Sequence, residues 1–123
     1  MAVVIDASAA AAVLFGEPGA EVLRHRLHGH ALFAPRLMDY ELANVAWKKL
    51  RHVPGAGAAI LAMLADATRL SVGYADPDMA EVVTLAVATG LTPYDASYLW
   101  LARQRSLPLV TLDRALARAA EAL

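Results

Sequence analysis

The chain has 123 residues, 11 Lys and Arg against 12 Asp and Glu, and no cysteine. Its length suits one domain around one core, and the lack of thiols excludes a disulfide framework and thiolate metal sites. No apolar run approaches the roughly 18 to 20 residues that cross a bilayer, and Asp6 breaks the first apolar run before a signal peptide can form, so a cytoplasmic protein without membrane contact is expected.

Val3-Val4-Ile5 reads as a strand buried on both faces, and the alanines from Ala9 to Ala12 favour a helix, so Asp6 stands at a strand-to-helix switch. That helix, residues 7 to 15, ends at Gly16. Pro18 is expected to open the next one, with Val22, Leu23 and Leu27 as its apolar face. A short strand follows at Ala31 to Ala34, and Pro35 separates it from a long helix, residues 37 to 52, with Leu42, Val45, Ala46 and Leu50 inward. After Pro54-Gly55-Ala56-Gly57, a helix over 58 to 67 precedes a weaker strand over 70 to 74. Asp76-Pro77 reads as an N-cap followed by the first helical residue, and Gly90 closes that helix. Thr92-Pro93 opens a helix to Arg105, residues 107 to 111 form the last strand, and Asp113 caps a C-terminal helix.

Strands alternating with helices, without a hairpin signal, predict a three-layer α/β/α fold with a parallel sheet of four to five strands, as one domain over 1–123. In such sheets ligands bind at the carboxyl ends of the strands. Four acids fall at comparable places there: Asp6, Glu41, Asp95 and Asp113. Asp6 and Asp113 also suit N-caps, and Thr92-Pro93-Tyr94-Asp95 has the spacing of a capping box. Converging carboxylates repel one another unless they are protonated or share cations, and oxygen-only ligation suits Mg²⁺ or Mn²⁺. Setting those four aside leaves eight acids against 11 Lys and Arg, so the near-neutral total conceals a basic remainder.

The blocks V-V-I-D-A-S from Val3, E-L-A-N-V from Glu41, L-T-P-Y-D-A-S-Y-L from Leu91 and L-V-T-L-D-R-A from Leu109 resemble the four sequence blocks of PIN-domain nucleases, in order and spacing like the VapC-type toxins of toxin–antitoxin pairs. The resemblance spans the whole chain. It implies a Mg²⁺- or Mn²⁺-dependent endoribonuclease with Asp6 and Asp95 as main metal ligands and Glu41 and Asp113 completing the site. Ser8 and Thr111 match polar family positions that support the carboxylates, and Asn44, one turn beyond Glu41, is placed to orient it. The implied partners are transfer or ribosomal RNA, a cognate antitoxin and, together with the 59% hydrophobic content, a second copy in a homodimer.

Positive charge for RNA would come from Arg36, Lys48, Lys49 and Arg114, with Arg51, His52, Arg103, Arg105 and Arg118 as further cations on the same helices. Trp47, Tyr98 and Trp100 suit core or dimer contacts better than base stacking. His25, His28 and His30, spaced loosely around Gly29, read as a polar helix end rather than a zinc site. A non-catalytic metal-binding or interaction module with the same acidic edge is the competing reading. A signalling receiver would carry paired acids after the first strand and a late lysine, and an aspartyl phosphatase a second Asp where Ser8 stands.

Overall fold

The computed structural model describes residues 1–122. Val3, Val4 and Ile5 are buried and form β1 (Ala2–Ile5). At Asp6 the backbone is still extended, and its side chain accepts the Ala9 amide, so the aspartate is the N-cap of α1 (Ala7–Phe15). Ala9 to Ala12 are buried, and their single methyl groups let α1 lie close against its neighbours.

Gly19 stands at the N-cap of α2 (Ala20–Leu27). Pro18, expected to open this helix, lies in the turn before the cap. Val22, expected inward, is 73% exposed, because the inward stripe runs through Ala20, Leu23 and Leu27. Next come β2 (Ala31–Pro35) and α3 (Leu37–His52), whose Met38, Leu42 and Ala46 are buried while Val45 and Leu50 are half-buried. A 3-10 turn at Pro54–Ala56 leads into α4 (Gly57–Ala65), and a second one covers Asp66–Leu70.

The strand expected over 70 to 74 is therefore shorter and later, β3 (Gly73–Ala75). Ser71 is left-handed at φ 52°, so extended chain cannot start before it. The cap expected at Asp76 is also corrected: Asp78 accepts the Glu81 amide and caps α5 (Met79–Thr89), while the Asp76 carboxylate is held by Arg36 at 3.2 Å. Thr92 caps α6 (Pro93–Arg105) by accepting the Asp95 amide. The last strand, β4 (Leu109–Val110), is also shorter than expected. Its approach is spent closing α6, where the Leu107 amide bonds the Ala102 carbonyl. Asp113 then caps α7 (Arg114–Glu121).

The four strands form one sheet in the order β3-β2-β1-β4, parallel throughout. Gly73 lies opposite Phe33, and a Cβ there would sit 2.8 Å from the Phe33 ring, so any larger residue would have to displace that ring. Helices α1 to α4 pack among themselves and α5 to α7 among themselves, with α6 lying on β1 and β2. From β1 the chain steps outward to β2 and β3, then crosses back to place β4 on the other side of β1. That reversal opens a crevice between the carboxyl ends of β1 and β4. Among the described residues no helix is long and apolar enough to cross a membrane.

Candidate active site

Asp6 leaves the end of β1 and Asp113 follows β4, so the crevice receives both. Glu41 comes from the second turn of α3 and Asp95 from the first turn of α6. All four carboxylates line one open cleft of about 550 Å³.

Asp6 is only 4% exposed, and both its oxygens are held. Ser8 Oγ donates to Oδ1 at 2.8 Å together with the Ala9 amide at 3.0 Å, and Thr111 Oγ1 donates to Oδ2 at 2.5 Å. The two hydroxyls are themselves anchored, since the Leu112 amide donates to Ser8 Oγ and the Asp113 amide to Thr111 Oγ1. One network therefore ties the end of β1 to the loop leaving β4. Burial pushes the Asp6 carboxyl above its usual range. The bonds from Thr111, the Ala9 amide and Ser8 pull it down, and repulsion from Asp113 adds to the rise.

The hydrogen-bond donor on Glu41 is Tyr98, whose hydroxyl donates to Oε1 at 2.5 Å. Tyr98 is 1% exposed, so its ring is core while its oxygen reaches the cleft wall; helical spacing alone made it a packing residue. Asn44, expected to orient Glu41, is instead exposed on the cleft rim. Burial, and then repulsion from Asp95 and Asp6, raises the Glu41 carboxyl, opposed by the Tyr98 bond. Burial and the Glu41 charge likewise push the Tyr98 phenol up, so it remains protonated and a donor.

Asp95 is half-buried, and burial, Asp113 and Asp6 all raise its carboxyl, with no hydrogen bond drawing it down. Asp113 Oδ1 accepts the Ala115 and Leu116 amides at the start of α7. Capping and cleft-lining are thus one geometry for Asp6 and Asp113.

Among the described residues no three acidic or histidine side chains converge closely enough to cage one ion. Mg²⁺ does not require a cage: it keeps several waters and binds through one or two carboxylates, taking further oxygens from phosphates. The cleft offers hard oxygen donors, three of them raised first by burial and further by mutual repulsion, and among the described residues no Lys or Arg lines it to offset that charge. Hydrogen-bonded carboxylate oxygens keep a second lone pair. The residues fit a hydrated Mg²⁺ or Mn²⁺.

The basic residues singled out in the sequence stand outside the cleft. Arg36 is paired with Asp76 and lies over the Tyr74 ring. Lys48 and Lys49 border a separate groove between α3 and α4, Lys49 reaching over Phe15, and Arg114 is exposed at the start of α7. Trp47 is exposed under Arg51, and Trp100 is half-buried in a groove between α5 and α6. His25 and His28 are exposed at the end of α2, His30 just beyond. Two residues missed from the sequence, Tyr40 and Tyr94, line the cleft; the only signal was that each immediately precedes an acid of the quartet.

Comparison with known proteins agrees with this layout. The PIN domain family model matches residues 3–122. The chain is 34% identical over 128 residues to ribonuclease VapC3 of Pyrobaculum aerophilum, covering 100% of this chain and 98% of that protein. It is 38% identical over 89 residues to exonuclease VapC9 of the same organism, covering 72% and 67%. The crystal structure of PAE2754 from Pyrobaculum aerophilum superposes with a TM-score of 0.81 at 32% identity, covering 98% of this chain and 86% of that one. The chain belongs to the PIN-domain family, and within it to the VapC-type proteins.

Proposed function

We propose that this protein is a Mg²⁺- or Mn²⁺-dependent endoribonuclease, the toxin of a toxin–antitoxin pair. The observation that carries the reading is the cleft itself: four carboxylates at the sheet's topological switch, partly buried, with no cation in the lining. Similarity to a protein named ribonuclease supports RNA as the substrate.

Asp6 and Asp95 would hold the metal, Asp6 kept in place by Ser8 and Thr111 and Asp95 free of competing donors. Glu41 and Asp113 complete the site. When bound, the divalent ion lowers the pKa of the attacking water and offsets charge on the phosphate oxygens. Glu41, raised by burial and fixed at one oxygen by Tyr98, takes the proton from that water. The water oxygen bonds to phosphorus as the bond from phosphorus to the sugar oxygen in line with it breaks, and that oxygen leaves taking a proton from solvent. The partners on this reading are transfer or ribosomal RNA, an antitoxin protein, and a second copy covering the exposed Met79, Val83 and Val87 of α5.

The test is cleavage of linear and circular single-stranded RNA with Mg²⁺ or Mn²⁺, with EDTA, and by Asp95→Asn. Cutting of the circle that stops in EDTA and in the variant supports the reading. Cutting from free ends only would make the enzyme an exonuclease, and cutting that survives chelation would remove the metal.

A further inference from the structure

Tyr40-Glu41 on α3 and Tyr94-Asp95 on α6 put the same dipeptide on two walls of the cleft. Successive helical residues point about 100° apart, so each ring stands beside its acid rather than behind it. The rings are 76% and 62% exposed, and neither hydroxyl has a side-chain hydrogen bond among the described residues. Two large apolar faces left in water at one functional cleft, from two different helices, are not the scattered exposure of an ordinary surface.

A polyanion entering this cleft meets four carboxylates and no Lys, Arg or His in the lining. A metal can answer for the scissile phosphate, but not for the nucleotides on either side. What the lining offers besides the acids are the two tyrosine faces, with Leu37 and Val45. Aromatic faces hold nucleobases by stacking, which requires bases not already stacked in a duplex.

We infer that Tyr40 and Tyr94 form a nucleobase-stacking subsite that grips the nucleotides flanking the scissile phosphate. This rests on the nuclease reading of the same cleft. The paired dipeptides mean that α3 and α6 each supply one carboxylate and one base platform.

The test uses the full chain carrying Asp6→Asn, which prevents cleavage, with Mg²⁺ and a short oligoribonucleotide containing 2-aminopurine, single-stranded or annealed to its complement. Stacking predicts quenched fluorescence, binding of the single strand at least about ten-fold tighter than the duplex, and a roughly ten-fold rise in Kd for Y40A or Y94A. Y40F and Y94F, which keep the ring, retain parental binding. Alanine variants that bind like the parent, equal binding of duplex, or phenylalanine variants that lose as much as alanine each overturn the subsite. An unchanged RNA affinity with an altered sedimentation coefficient in Y40A or Y94A overturns it too, assigning the rings to a protein contact. Wild type that quenches the probe but cuts no RNA would sink the nuclease reading and leave the subsite standing. Cleavage by Y40A and Y94A at wild-type KM would sink the subsite and leave the nuclease.

Discussion

Replacing Tyr98 by Phe removes one oxygen and keeps the buried ring, so it isolates the hydrogen bond to Glu41. A bond to a charged acceptor contributes about 1.5–3 kcal/mol when its loss leaves the partner bare. Glu41 is half-buried at an open cleft, where water can replace the phenol. The expected net loss is therefore about 1 kcal/mol, read as a lower urea midpoint at unchanged m-value. The larger effect is on chemistry, because a carboxylate free to swing is out of line for most encounters: kcat falls roughly ten-fold with KM for RNA little changed. The bond lowers the Glu41 pKa, so the metal-free variant should titrate Glu41 at higher pH than wild type, visible by carboxyl-carbon NMR. Wild-type stability, kcat and Glu41 titration together in Tyr98→Phe would show that the hydrogen bond neither holds nor tunes Glu41.

Two further outcomes follow from the crowded carboxylates. Asp6, Glu41 and Asp95 all have folded pKa values raised above their ordinary ones, so the stability they contribute is present at low pH and lost as pH rises through those folded values. Urea melts of the metal-free protein should show this component falling as pH rises from about 4, the ordinary carboxylate value. Asp95→Asn, which removes a charge without breaking a hydrogen bond, should raise the pH 7 midpoint in EDTA while abolishing stabilisation by Mg²⁺; a lowered midpoint would contradict the repulsion. Asp113 separates capping from catalysis: Asn caps as well as Asp, so Asp113→Asn should lose most cleavage without losing stability, whereas Asp113→Ala should fall about 1 kcal/mol below Asp113→Asn. Equal destabilisation by both in urea melts would argue against the cap.

The sequence by itself determined the alternation of strands and helices and three features of the site. β-branched residues before Asp6, an alanine run after it, and Thr92-Pro93 ahead of Asp95 are local preferences that need no distant partner. The caps at Asp6, Thr92 and Asp113 are equally local, since a short polar side chain meets amides two or three residues on. Where the sequence misplaced an element, a distant or conformational constraint had intervened. Asp76 lost its expected cap to Arg36, 40 residues away, and β3 began late because Ser71 turns left-handed.

Only the tertiary structure decided which side chains meet. Periodicity along α6 cannot distinguish a tyrosine that fills the core from one whose last atom reaches Glu41 on α3, because the two differ only in what lies across the gap. Thr111 meets Asp6, 105 residues apart in the chain, because β4 crosses over to pair with β1. The same crossover gathers the acids, while Lys48 and Lys49 border another groove and Arg36 pairs with Asp76. Composition could count the charges, but only the order of strands in the sheet could place them.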